Sequence, residues 1–366
     1  MPSASALRKS GPTGWPEPLH AMWRRLTAGP VPAHAPVTLQ LALQGGGAHG
    51  AFTWGVLDRL LRDPSLSFDA ISGSSAGAMN AVVMAAGWQQ GGRSGARQAL
   101  DRFWTTVGEQ LPAELAELLG LSMPGGTSMG ALMRQMLSTL TPQQVNPLDH
   151  NPLRDILVDQ IDFDGLRRGS PFALYIAATQ VRTGRLRLFR EHELTVDHLL
   201  ASACLPTLHH TISIDGEAYW DGGLSANPAL FPLIREGHSP DVLMVLLTPP
   251  EDEVAIDSRR DIDVRLTSLA FSTHLMRELQ MIDLLQRQAR HVRWPSRQER
   301  LLRDLRLHWI DVRDAEPLRE HETKLLAYGP FLQQLRELGE AHAHRWLQQH
   351  RGALGQRGTF DLSALG

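Results

Sequence analysis

Between Val37 and Gly87 the chain passes twice through the same order: an apolar strand, a turn punctuated by glycine, and a helix. VTLQLALQ (37–44) alternates apolar and polar residues as a strand does, and GGGAHG follows at 45–50. AFTWGVLDRLLRD (51–63) then has helical spacing at Phe52, Val56, Leu57, Leu60 and Leu61. FDAIS (68–72) reads as a second short strand, GSSAG (73–77) as a second turn, and AGAMNAVVMAAG (76–87) as a small-residue helix ended by Gly87. Parallel neighbours in one sheet need a crossover between them, and a helix supplies it. The order therefore predicts an α/β fold around parallel strands.

The rest of the chain extends this scheme. FALYIAATQV (172–181) predicts a buried strand, and RTGRLRLFR turns at Thr183-Gly184 into a hairpin partner. A short helix over 196–203, a strand pair around TISIDGEAYW (211–220) and a buried strand DVLMVLLT (241–248) follow. Residues 258–292 predict a long amphipathic helix, LHWIDV (307–312) a last strand, and 330–350 a final helix. In the long helix Leu266, Leu269, Leu275, Met276, Leu279, Ile282 and Leu285 fall near one face, the pattern of a helix covering a core. QQGGRSGAR, from residue 89, reads as a loop, and the Leu- and Met-rich stretch Leu115–Met136 as a helical hairpin packed on the core or a candidate lid. Residues 1–36, rich in Pro, Ala and Gly, read as a flexible arm with one short helix near Leu19–Leu26.

Chemistry concentrates in the two glycine turns. Gly73-Ser74-Ser75-Ala76-Gly77 fits G-x-S-x-G, in which the middle residue occupies a sharp strand-to-helix elbow. Only Ser75 holds that position; Ser74 is the variable residue. A serine at a helix N-terminus also faces the positive end of the helix dipole, which favours developing negative charge. Without its context the pentapeptide reads equally as a capped helix start. GGGAHG also fits the dinucleotide fingerprint G-x-G-x-x-G, which needs an acidic residue at the end of the next strand. That strand ends instead in Ile71-Ser72-Gly73, so acyl transfer explains the glycines better: Gly45, Gly46 and Gly47 offer bare backbone N–H groups to an oxyanion. His49 within this loop reads as a packed or solvated side chain, with a place lining the site as the alternative.

A nucleophilic serine needs a base. His238, His274 and His291 are available, but none sits in a recognisable turn. YWDGGLSANP (219–228) places Asp221 after two aromatic residues and before Gly222 and Gly223. On its own, Asp-Gly reads better as an ordinary turn.

Together the three motifs resemble the patatin-like phospholipases. That family carries a glycine-rich oxyanion loop, a G-x-S-x-G serine, and an Asp-Gly-Gly or Asp-Gly-Ala turn whose aspartate activates the serine without histidine. Here they correspond to Gly45 through Gly50, Gly73 through Gly77, and Asp221 through Gly223. ASACLP (201–206) and Asn227-Pro228 match the segments flanking that aspartate. The resemblance covers about residues 37–250. It implies a three-layer α/β/α sandwich with a mostly parallel central sheet, and a Ser75–Asp221 dyad that hydrolyses lipid esters through an acyl-enzyme. Gly45–Gly47 would form the oxyanion hole, supported by Gly50, Gly73, Gly77, Gly222 and Gly223. With the readings above, the chain is expected to divide into a flexible arm (1–36), a catalytic domain (37–250, with a helical insertion and possible lid at 88–151) and a mainly helical C-terminal region (251–366) packed on it, which the motifs do not fix. Alternatives are an esterase, thioesterase or polyester hydrolase for non-membrane acyl substrates, and an inactive binding protein on the same fold.

Composition bounds the partners. With 36 basic and 39 acidic residues the net charge is −3, so no global field recruits nucleic acid. The lone cysteine, Cys204, cannot form an internal disulfide, and no Cys/His spacing suggests a metal; no cofactor is expected. The N-terminal residues lack the apolar core of a signal peptide, and no apolar run approaches the ~20 residues of a spanning helix. The expectation is a soluble cytoplasmic protein acting on phospholipid or another lipid ester, with peripheral membrane contact left open. The arginines from Arg287 to Arg306 read mainly as a solvated face, with contact to anionic phospholipid as the alternative.

Overall fold

The computed structural model describes residues 36–110, 141–249, 256–310, 312–319 and 321–362. The expected N-terminal arm (residues 1–35) and the candidate lid at Leu115–Met136 lie outside the described residues. In chain order, β1 (Val37–Leu43) leads through the glycine loop to α1 (Gly50–Leu61), and β2 (Leu66–Ser74) through the serine turn to α2 (Ala76–Glu109). Next come the short helices α3 (Pro142–Val145), α4 (Pro152–Gln160) and α5 (Phe163–Gly169), then β3 (Ala173–Gln180) and β4 (Leu186–Arg190). α6 (Val196–Ser202), β5 (Ile212–Ile214), β6 (Glu217–Asp221), α7 (Phe231–Glu236) and β7 (Asp241–Val245) follow. The C-terminal region supplies α8 (Arg259–His291), α9 (Arg297–Asp304), β8 (Arg306–Ile310) and α10 (Gly329–His350).

The strands form one eight-stranded sheet in the order β5-β6-β3-β2-β1-β7-β8, with β4 also paired to β3. β1 pairs in parallel with β2 and β7, β2 with β3, and β7 with β8. The hairpin partners β4, β5 and β6 are antiparallel. Helices cover both faces. Leu39, Leu41 and Leu43 of β1 point into a core shared with α1, α2 and α10. Ala42, with Val242 and Met244 of β7, joins a second core built from α7 and α8. This is the expected α/β/α sandwich, and the C-terminal strand β8 belongs to its sheet.

Three local expectations change. The alternation in VTLQLALQ suggests one wet face, yet β1 is central and covered on both sides, so Gln40 and Gln44 are buried. Each meets backbone: Gln40 Nε2 donates to Ser239 O, and Gln44 Oε1 accepts the Leu247 and Thr248 N–H groups. The loop expected from residue 89 shrinks to Gly91-Gly92, where α2 bends between two helical arms. Gly92 has φ +58°, and the arms fold together so closely that a Cβ at Gly87 would lie 2.5 Å from the Ala99 Cβ. In α8, Leu275, Leu279 and Ile282 are buried as expected, but Leu266, Leu269 and Leu285 are 59%, 41% and 37% exposed. The apolar residues of this helix thus serve two faces, one turned to the core and one to solvent.

The C-terminal region reaches the site through α10, which lies against α1, the helix carrying the glycine loop. Their crossing depends on two glycines. A Cβ at Gly55 would stand 1.9 Å from the Arg336 carbonyl oxygen, and one at Gly339 would stand 2.0 Å from that of Phe52. An alanine inside an exposed helix would gain about 1 kcal/mol over glycine. At this crossing the backbone collision outweighs that gain, since overpacking costs about 1–3 kcal/mol or more. Gly55→Ala is therefore expected to lower the thermal unfolding midpoint, while Gly352→Ala, where a new Cβ meets nothing within 4 Å, leaves it nearly unchanged; circular dichroism melts of the two variants check this.

Candidate active site

β2 ends at Ser74 and α2 begins at Ala76, so Ser75 alone makes the turn. Its backbone has φ +52° and ψ −123°, a conformation that L-residues adopt rarely and at an energetic cost. Surrounding bonds hold it there. The Ser75 N–H lies 3.1 Å from the Ser202 carbonyl oxygen and 3.0 Å from its Oγ, and the Ser75 carbonyl accepts the Met79 N–H at 3.0 Å. The turn also needs the chain to approach itself: a Cβ at Gly77 would sit 2.1 Å from the Leu43 carbonyl oxygen, and one at Gly73 would sit 2.6 Å from that of Gly77. Ser74 is buried and its hydroxyl donates to the Ala226 carbonyl, a bond within the fold. The two adjacent serines have separate roles: Ser74 ties segments together and Ser75 occupies the elbow.

The geometry of β3 brings the aspartate there. β2 runs parallel along one edge of β3 and stops with Ser74 opposite Ala177. β6 runs antiparallel and stops with Asp221 opposite Ala178. β4 pairs with residues 175–179 and so takes the other edge. β2 and β6 therefore meet end to end along one edge, and the residues at their tips become neighbours. Asp221 is 1% exposed. Its Oδ1 accepts the Gly223 N–H at 2.7 Å, and the Ser75 side chain stands close enough to favour the ionised carboxylate. Thr179 Oγ1 holds the Asp221 carbonyl at 2.8 Å, and the Asp221 N–H donates to Cys204 O at 2.8 Å. Burial dominates the electrostatics: it pushes the Asp221 carboxyl up to about 7, against the opposing pull of Gly223 and Ser75. Burial likewise pushes the Cys204 thiol up to about 11, so it is a neutral packing group.

The glycine loop closes the site from a third side. At Gly45 a Cβ would lie 2.8 Å from the Ser75 Cβ and 2.6 Å from the Ser74 carbonyl oxygen, so loop and elbow touch. The Gly45 N–H, however, donates to Asn227 Oδ1 at 2.7 Å and is already committed. Among the described residues neither the Gly46 nor the Gly47 N–H is engaged in a hydrogen bond. Gly47 has φ +58°, and a Cβ there would stand 2.3 Å from the Lys324 carbonyl oxygen. His49 is buried and bonds Thr323 Oγ1 through Nε2 at 2.7 Å, so it packs and ties the loop to the C-terminal segment. Gly50 lets α1 meet Ala76 and Trp104, Gly222 lies against the Ala177 carbonyl, and Gly223 lies beneath the Phe271 ring of α8.

Ser75, Asp221 and the glycine loop are thus gathered in one place. Of the histidines considered as bases, His238 lies beside Asp69, and His274 and His291 are exposed on α8. Among the described residues no group of three or more His, Cys, Asp and Glu side chains is placed to hold a metal ion. Asn227, Ser202 and Phe271 shape the site without announcing themselves in the sequence. Asn227 beside Pro228 and Ser202 within ASACLP lie in segments that resemble the family, but nothing in the chain pairs them with Gly45 or Ser75.

The site thus combines an elbow serine at the end of a central parallel strand, a glycine loop over it and a buried carboxyl group beside it, on an α/β fold. The family comparison agrees: the patatin-like phospholipase model matches residues 41–234, more than half of the chain, which therefore belongs to that family and by class is a lipid hydrolase. Among solved structures, VipD from Legionella pneumophila is 16% identical over 87% of this chain and 68% of its own, with a TM-score of 0.37. A chain of the heterodimeric ExoU–SpcU complex from the type III secretion system of Pseudomonas aeruginosa is 16% identical over 86% of this chain, with a TM-score of 0.33. This protein spans about half of that chain, 52% of its length. No protein of curated function matches the sequence.

The raised Asp221 carboxyl has a consequence for stability. From pH 4 to 7 the native state keeps a proton that the unfolded chain, with its carboxyl near 3.8, has released. The folded state therefore loses stability as pH rises through that window and levels off above it, a cost on the order of 4 kcal/mol. Asp221→Asn removes the titration. The variant is expected to melt several degrees above the wild type at pH 8, with the difference closing toward pH 4, as thermal scans across this range would show.

Proposed function

We propose that the protein is a serine acyl hydrolase that cleaves lipid carboxylic esters through Ser75 and Asp221, with the Gly46 and Gly47 amides as the oxyanion hole. The observation that carries this reading is a nearly inaccessible carboxyl group beside a serine held at an elbow. Asp221 would take the Ser75 proton as Oγ attacks the ester carbonyl. Raised to about 7, this carboxyl is a much better proton acceptor than an exposed one near 3.8. Negative charge on the carbonyl oxygen would then fall within reach of free backbone N–H groups and the N-terminus of α2. Proton return from Asp221 would release the alcohol and leave an acyl-enzyme, which water, activated by the same carboxylate, would hydrolyse. The Gly45 amide is left out of this scheme because Asn227 already engages it.

A phospholipid or another lipid ester is the substrate class that family membership favours. α8 supports approach to a lipid surface: Ile262, Leu266 and Leu269 are exposed on the helix whose Phe271 ring rests on Gly223. A row of exposed apolar side chains beside a site suits an aggregated substrate better than a dissolved one. No described helix is long and apolar enough to cross a membrane, so contact would be peripheral.

Labelling with a fluorophosphonate followed by peptide mapping is expected to mark Ser75. Ser75→Ala and Asp221→Asn should each lower hydrolysis of a short-chain p-nitrophenyl ester by at least about 1000-fold without unfolding the protein, since both act in one proton transfer. In the wild type the same hydrolysis should fall below pH 7 as Asp221 takes up its proton. Labelling of another residue, or an active Ser75→Ala variant, removes the mechanism. Leu266→Asp with Leu269→Asp should slow hydrolysis of phospholipid in vesicles about tenfold and leave the soluble ester unaffected; equal loss on both substrates counts against lipid-surface contact.

A further inference from the structure

Asn227 is 2% exposed and uses both ends of its side-chain amide. Oδ1 accepts the Gly45 N–H at 2.7 Å, and Nδ2 donates to the Phe271 carbonyl oxygen of α8 at 3.2 Å. One partner is a pure donor and the other a pure acceptor, so only one orientation of the amide satisfies both. The preceding residue contributes as well: the Ala226 carbonyl accepts the Ser74 hydroxyl. Residues 226–227 thus bond to the elbow, the glycine loop and α8 at once. The loop has little internal reason to hold its shape, because glycines adopt many backbone conformations at similar energy. Its Gly45 amide would be a poor oxyanion donor while bonded to Asn227, but that bond fixes the peptide from which Gly46 and Gly47 follow.

We propose that Asn227 is a positioning residue for acyl transfer: by accepting the Gly45 N–H it sets the place of the Gly46 and Gly47 amides beside Ser75. This rests on the reading of Ser75 as the nucleophile. An amide donor set out of place loses stabilisation of the transition state and not of the bound ester, so the effect falls on kcat. A merely structural asparagine would instead lower the amount of folded enzyme, with kcat per folded molecule and KM both preserved.

Two variants separate these cases. Asn227→Ala removes the acceptor for Gly45. Asn227→Asp has nearly the same shape and keeps an oxygen for Gly45 while losing the donor to Phe271. The steady-state hydrolysis of a soluble p-nitrophenyl ester is measured per folded molecule, counted by its native melting transition. Hydrogen exchange of the peptide containing Gly45 is followed in the same samples. Asn227→Ala is expected to lower kcat about 100-fold, the scale of one lost oxyanion donor, with KM within twofold and faster exchange at Gly45. Asn227→Asp should recover at least tenfold of that loss and restore slow exchange. A kcat within threefold of wild type in Asn227→Ala overturns the proposal, as does equal loss in the two variants. If Asn227→Ala does not fold, Asn227→Asp decides alone: slow Gly45 exchange with kcat within tenfold of wild type supports the anchor, and fast exchange or a larger loss overturns it. A wild type that neither hydrolyses the ester nor reacts with a fluorophosphonate overturns the nucleophile reading, whereas unchanged Gly45 exchange in Asn227→Ala overturns the anchor alone.

Discussion

Water strongly favours an ionised carboxylate, and the fold withholds water from Asp221. A carboxyl group removed from solvent keeps its proton until a neighbour compensates. Here the compensation is small: one backbone N–H from Gly223 and the nearby Ser75 side chain. A charged partner such as arginine would have lowered the proton affinity and left the group inert as a base. Asp241 illustrates the contrast within the same chain. Arg306 and His308 bond directly to its carboxylate, and these bonds outweigh its burial and hold it down to about 2. One buried aspartate is held ionised to staple the end of β7 to β8, and the other is poised near neutrality beside a serine.

That poise depends on a detail of sheet construction. β3 offers one edge to two strands that arrive from opposite directions and stop at adjacent positions. End-to-end meeting of strands leaves a gap in the ladder, and the two side chains at the tips share it. Ser75 lies one residue past the tip of β2, with its backbone held at φ +52°. The strain is held by Ser202, at the end of α6, and by the close approach of Gly73 and Gly77.

The C-terminal region is part of this machinery. α8 sets Phe271 on Gly223 and gives its carbonyl to Asn227, while Glu278 accepts the N–H groups of Leu230 and Phe231 just after the aspartate turn. Thr323 and Lys324 rest against His49 and Gly47, and α10 closes on α1 through Gly55 and Gly339. The glycine loop and the aspartate turn therefore each have a support that arrives late in the chain.

Local information made the parallel core, the elbow and the two glycine turns legible, because strand and helix periods and glycine-dependent turns are written in consecutive residues. The fate of residues such as Gln40, Leu266 and Gly45 was not legible. Gln40 reads as a solvent-facing strand position until a second layer covers it. Leu266 reads as core until the core ends at Leu275. The Gly45 amide reads as a free donor until Asn227 arrives to take it. By itself the sequence determined which segments become strands and helices, and that Ser75 must stand at a sharp turn, since these follow from side-chain period and from steric limits within a few residues. Only the tertiary structure decided how deeply Asp221, the partner that the family resemblance implies, is buried and which amides stay unengaged, because burial and hydrogen-bond competition depend on residues that meet in space and share no local pattern.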